Sequence, residues 1–171
     1  DVLVVLTDEE EGVVATGNRA FSRGSARLFN RISRGNLPNL VLVSDMHEEI
    51  AALEEGHLDV IPFGQGALFA GAASEARGGV TPPPLLEFQR ELAAFLAQKG
   101  ISLRENPGYL SRSDCVSAMM YTPNVALVGY PGAYSHFADT PRAHLGDLVD
   151  LAKSLVVYAL VAQSEVGVNR E

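Results

Sequence analysis

Val2-Leu3-Val4-Val5-Leu6-Thr7-Asp8-Glu9-Glu10-Glu11-Gly12 opens the chain with a continuous apolar run that gives way to a row of carboxylates closed by a glycine. An unbroken Val/Leu run is the pattern of a strand covered on both faces, as in a parallel sheet. A buried strand that ends in stacked carboxylates points them at a crevice, where they must be paired, protonated or bound to a cation. The stretch therefore predicts an α/β fold with a metal or acid/base site beside its first strand.

Working outward, residues 19–32 fit an amphipathic helix with Ala20, Leu28 and Ile32 turned inward. Gly35-Asn36-Leu37-Pro38 punctuates the chain before a second apolar strand, 40–43, which ends at Ser44-Asp45, so that again a strand delivers an acid at its carboxyl end. Residues 48–55 suggest a short helix. The Gly/Ala-rich stretch 64–79 reads as loop and turns, within a loop insertion over 57–84. After Pro82-Pro83-Pro84, the residues Leu85, Phe88, Leu92, Phe95 and Leu96 recur at helical spacing up to Gly100, a stop signal. A short strand at 101–103, a short helix at 113–120 and a third buried strand at 125–128 follow. Finally, Leu145, Leu148, Val149, Ala152, Leu155, Val156 and Ala159 make one apolar stripe of a helix running through Gln163. Strands alternating with helices predict a three-layer α/β sandwich, a single domain over 1–171 with helices on both faces of the sheet.

Composition narrows the function classes. With 171 residues, 47% of them hydrophobic and 20% charged, the chain is long enough for a real core and too apolar for disorder. A formal charge of −8 without any run of Lys or Arg argues against a nucleic-acid surface, which needs clustered cations. The single Cys115 forms no internal disulfide and leaves no Cys-x-x-Cys pair, so a metal would be held by oxygen and imidazole. The longest apolar stretch, 155–162, is too short to span a bilayer. Because the first residues already read as a core strand and no Met precedes them, the chain is expected to be the C-terminal portion of a domain lacking its N-terminal part. Cytoplasmic and secreted locations are not distinguished.

Three junctions between a strand-like run and a loop carry an acid or a histidine: Glu9 and Glu10, Asp45, and His136 in Tyr134-Ser135-His136-Phe137-Ala138-Asp139-Thr140. In open α/β sheets ligands bind outside the carboxyl ends of strands, where residues remote in sequence converge. Asp, Glu and His together suit zinc, and a second Glu beside a ligand has a role as the base that deprotonates metal-activated water.

Taken in order, the Glu9-Glu10-Glu11-Gly12 box after a strand, Ser44-Asp45-Met46 after another, Ser113-Asp114, and the His136 segment with Asp139-Thr140 resemble the co-catalytic zinc aminopeptidases. That family includes bacterial leucine-type aminopeptidases and glutamate carboxypeptidase-like enzymes. The resemblance implies a mixed, mostly parallel sheet and a zinc-dependent exopeptidase that hydrolyses peptide bonds through metal-activated water, acting on a peptide or an amino-acid amide. Two zinc ions, or other divalent metals, would occupy the intact site. Glu9 would be the general base, with Glu10, Asp45 and His136 as metal ligands and Tyr134 and Ser135 beside the substrate. Gly12 sets that register, ahead of the alternative using Glu10 and Glu11.

The departures are specific. The family's His-x-Asp motif and its bridging Asp precede the Glu-Glu box and have no counterpart here; Ala15-Thr16 stands where Gly-Ser is usual, and Cys115 where His often follows Ser-Asp. The resemblance therefore implies about half a site, inactive alone or completed by the chain's own missing N-terminal segment. A related amidohydrolase, or a non-catalytic receptor-like or dimerisation module on the same fold, is the alternative.

Plainer roles compete at each position. Acids after a strand also suit a helix N-terminus, and Asp45 also suits a capping position. His47 stands two residues from Asp45, but two such residues share a face only while a strand continues, and Glu48-Glu49 suggests that it has ended. Cys115 reads as a small buried residue, and Gly64-x-Gly66 lacks the strand-to-helix context of a nucleotide site.

Overall fold

Along the chain the elements are α1 (Arg23–Arg31), β1 (Val41–Glu48), β2 (Ile50–Ala52), β3 (Leu58–Val60), β4 (Ala67–Ala70), α2 (Pro83–Ala97), β5 (Leu103–Asn106), α3 (Cys115–Ala118), β6 (Val125–Ala133), β7 (Arg142–Ala143) and α4 (Leu145–Val166). The computed structural model describes residues 2–7, 22–32, 37–48, 50–52, 58–71, 81–107, 114–133 and 142–166. The main sheet has the order β1-β6-β4-β5. β1 and β6 run parallel from Val41 opposite Val125 to Glu48 opposite Gly132. β4 is antiparallel to β6 and parallel to β5, and β7 pairs with the end of β6. β2 and β3 form a separate antiparallel pair.

The alternation of side chains along each strand divides the interior into two layers. Ala67 and Phe69 of β4, Leu103 of β5 and Val128 of β6 pack with Leu86, Leu92 and Leu96 of α2 and Leu151 and Tyr158 of α4. On the other face Val43, Ala70, Val125 and Leu127 pack with Phe29 of α1 and with Cys115 and Ala118 of α3. The result is the expected three-layer sandwich around a mixed sheet, but not a mostly parallel one: β1/β6 and β4/β5 pair parallel, β4/β6 and β6/β7 antiparallel. α2 opens with Pro83 in its first turn, where a missing N–H costs nothing. It closes where Gly100 adopts φ 70° and Ile101 N–H bonds back to the Leu96 carbonyl.

Several sequence expectations are corrected. Residues 2–7 form no strand, and Val2, Leu3, Val4 and Leu6 are 58%, 74%, 82% and 96% exposed. A strand is buried by its neighbours, and among the described residues none pairs with this run; the outer edge of β1 is likewise unpaired. The second strand does not stop at Ser44-Asp45 but continues to Glu48, because β6 supplies a partner throughout. The short helix expected over 48–55 is replaced by β2, which pairs with β3. The loop expected over 64–79, inside the 57–84 insertion, contains β4, an interior strand buried at every position. The run Ala-Leu-Phe-Ala is too short and too rich in Ala to register as a strand by propensity; its two-sided pairing decides the matter. Of the residues expected to face inward from the first helix, Ile32 packs against the core, Leu28 is half-buried and Ala20 lies outside the described residues; α1 instead buries Ser25 and Phe29.

The largest correction concerns α4. Its buried positions include Asp147, Leu151, Ser154 and Tyr158, whereas Leu145, Val156 and Leu160 of the apolar surface are 74%, 62% and 63% exposed. Ala152 and Val149 are exposed too. A helix apolar nearly all round has no single face to announce. Its rotation is set instead by Asp147, whose Oδ2 and Oδ1 accept the N–H groups of Gly64 and Gly66 at 2.8 and 2.7 Å.

Those two bonds make a first prediction. Asp147→Ala would leave the buried Gly66 N–H without its acceptor and remove a carboxylate from the first turn of α4, for an expected loss of about 2–4 kcal/mol in urea unfolding. Asp147→Asn, which retains one acceptor oxygen, is expected to lose less. An unchanged midpoint for Asp147→Ala would show that the loop does not depend on this anchor.

Candidate functional site

Of the residues assigned chemistry from sequence, Asp45 lies on β1, and Glu9, Glu10, Tyr134, Ser135 and His136 lie outside the described residues. Asp45 is half-buried, and its Oδ1 accepts the N–H of Met46 at 2.7 Å, which orients the carboxylate. It stands opposite Gly129 of β6, which in turn stands opposite Leu68 of β4, so one cross-strand row links three strands. β6 is described to Ala133, the residue before Tyr134-Ser135-His136 in sequence, and because β1 and β6 are parallel Ala133 stands at the end of the sheet towards which Asp45 and Glu48 lead.

The strand's continuation brings in a residue that sequence reasoning set aside. His47 falls on the same face as Val43 and Asp45, fully buried. Its ring lies against Gly129: a Cβ there would meet His47 Cδ2 at 2.8 Å and the Asp45 carbonyl oxygen at 1.8 Å. Passing this glycine, His47 Nδ1 accepts the side-chain N–H of Asn106 on β5 at 3.1 Å. Burial lowers the His47 pKa from 6.5 to about 3, so the imidazole is neutral, as an accepting Nδ1 requires. The signal in the sequence was the spacing Asp45-Met46-His47; what was missing was the length of β1, set by a partner strand 84 residues away in register.

A second feature is an open cleft of about 660 Å³ beside the start of α4, between Gly64–Gly66 and Ser102 on one side and Asp150 and Lys153 on the other. Its polar groups serve the fold. Asp150 accepts the N–H of Ser102 at 3.2 Å, and the Ser102 hydroxyl donates to the Gln65 carbonyl at 2.5 Å. No group of three His, Cys, Asp or Glu side chains suited to a metal occurs among the described residues. Asp45 fits a zinc site in donor type and in being oriented, and a complete centre would need donors from beyond the described set.

No protein-family model matches the chain, and no curated protein matches it. Solved structures do. The aminopeptidase APDkam598 from the archaeon Desulfurococcus kamchatkensis superposes with TM-score 0.61 at 16% identity, over 78% of this chain and 36% of its own. The chain shares its fold with archaeal aminopeptidases. A TET aminopeptidase from a marine sediment Thaumarchaeota archaeon gives TM-score 0.60 at 15% identity over 81% of this chain and 36% of its own. The TET1 peptidase of Pyrococcus horikoshii, which can assemble into a tetrahedron or a large octahedral shell, gives 0.54 at 17% identity over 78% and 36%. The chain thus spans just over a third of the length of these structures. No helix among the described residues is long and apolar enough to cross a membrane.

Proposed function

We propose that the intact protein is a metal-dependent exopeptidase of aminopeptidase type that releases amino acids from the end of a peptide. The observation that carries this reading is the parallel pair β1 and β6, which presents Asp45 on one strand and runs the other directly into the segment holding His136, in a fold shared with aminopeptidases. Asp45, Glu10 and His136 would hold zinc, and the bound metal would polarise the scissile carbonyl and activate the attacking water. Glu9 would accept the proton released by that water and deliver it to the departing amine, so that the peptide C–N bond breaks with no net gain or loss of protons. Tyr134 and Ser135 would line the substrate. Ligands from sequence beyond this chain, on the side of β1 where no strand pairs among the described residues, would complete the centre, and a large assembly like that of the TET1 peptidase is the corresponding proposal for oligomeric state.

The test is hydrolysis of aminoacyl-nitroanilides by the full-length protein before and after chelation, together with Asp45→Asn. Loss of activity on chelation, restored by zinc, and a fall in kcat/KM of at least about 100-fold for Asp45→Asn are expected. Turnover indifferent to chelation would reject the metal reading. Absence of turnover with zinc present would favour the non-catalytic module, for which the exposed apolar stripe of α4 offers a surface.

A further inference from the structure

We propose that Asp114 is a positioning residue that places the Glu9 and Glu10 carboxylates by holding Thr7, an inference that rests on the roles given to those two glutamates above. Residues 2–6 supply nothing to hold the segment: they form no strand, and Leu6, next to Thr7, is 96% exposed. The one side-chain hydrogen bond joining residues 2–7 to the other described residues runs from the Thr7 hydroxyl to Asp114 Oδ2, across 107 positions of sequence. A hydroxyl donating to a carboxylate is a charge-assisted bond, stronger than a neutral one.

Asp114 is placed for this purpose and has no other visible one. It stands at the N-cap of α3, yet its side chain makes no capping bond. It is only 8% exposed, and its Oδ1 is buried without a hydrogen-bond partner among the described residues. A buried carboxylate with half its accepting capacity unused is under-compensated, which favours any further donor brought to it. α3 packs on the sheet face that carries Val43, and by alternation Asp45 and His47 belong to that same face. The chain rises at most about 3.6 Å per residue, so fixing Thr7 confines the Glu9 backbone to within about 7 Å of it and the Glu10 backbone to within about 11 Å. The base and the metal ligand, two and three residues past the anchor, are thereby confined to its neighbourhood.

Cleavage by a glutamate-specific endopeptidase, read by mass at Glu9 to Glu11, reports whether the segment is held. Thr7→Val removes the donor at constant shape, Thr7→Ser keeps it, and Asp114→Ala removes the acceptor. Cutting at these sites is expected to be about tenfold faster in Thr7→Val and Asp114→Ala, with Thr7→Ser cutting like the unaltered chain and all melting temperatures similar. Equal cutting in every variant overturns the anchor. In the full-length protein, Thr7→Val is expected to lower kcat about tenfold with KM little changed, and Thr7→Ser to restore it. If Glu9→Gln abolishes turnover while Thr7→Val leaves kcat intact, the positioning role fails. If Glu9→Gln leaves turnover intact, the assignment of Glu9 fails while the cleavage result still decides the anchor.

Discussion

Gly129→Ala is expected to lower the melting temperature by about 10 °C or more. The added Cβ would lie 1.8 Å from the carbonyl oxygen of Asp45 and 2.8 Å from Cδ2 of His47. A clash with backbone cannot be relieved by a change of rotamer; β1 must move away from β6, and their pairing extends over eight residue pairs. Overpacking a tight interior typically costs about 1–3 kcal/mol and more where backbone must shift, and each kcal/mol displaces the melting point of a chain of this size by about 2–4 °C. The same substitution would drive the His47 ring off Asn106 and rotate the Asp45 carbonyl, so loss of stability and loss of the site should occur together. Gly132→Ala is the internal control. Its Cβ would meet Sδ and Cγ of Met46 at 2.1 and 2.3 Å, atoms of a flexible side chain that is only half-buried, and a much smaller loss is expected. A Gly129→Ala protein melting within about 2 °C of the unaltered chain would show that β1 is not held against β6 as described.

The second large effect is on acid stability. His47 is neutral when folded, its pKa lowered to about 3 by burial, while in the unfolded chain it titrates near 6.5. Between those values the unfolded state binds the extra proton, so stability due to His47 is fully present above pH 6.5 and is lost as the pH falls towards 3. The displacement corresponds to about 5 kcal/mol at the acid limit, enough to unfold a domain of ordinary stability. Urea titrations from pH 7.5 to 4 should show the decline, and His47→Gln, which does not titrate, should flatten it at the cost of lower stability at neutral pH. Parallel profiles for the two proteins would mean that the proton enters elsewhere.

Much of the fold was legible where one local signal dominated. The helix after Pro82-Pro83-Pro84 declared itself by spacing and by its stops, and its apolar positions Leu92 and Leu96 are core residues. The buried strand at 125–128 was visible because a run of apolar residues covered on both faces has few alternatives, although pairing with β1 and β7 carries it on to Ala133. β4 was invisible, since four small and apolar residues between glycines become a strand only when β5 and β6 flank them.

The site divides in the same way. Asp45 drew attention because an acid following an apolar strand is unusual on its own terms, and its role as a ligand rests on a resemblance of ordered motifs. Gly129, Asn106 and Asp147 drew no attention, His47 was set aside and Asp114 entered only as part of a motif, because what distinguishes them is a contact with a residue far along the chain: His47 with Asn106 over 59 positions, Asp147 with Gly66 over 81, Thr7 with Asp114 over 107.

By itself the sequence determined the α/β class, the alternation that separates two buried layers, and the chemical types available to a site, since these follow from local periodicity and side-chain chemistry. Only the tertiary structure decided where β1 ends, which face of α4 is buried and which polar groups meet. Those depend on strand pairing and on hydrogen bonds that buried groups must find, and both are set by partners that local sequence does not name.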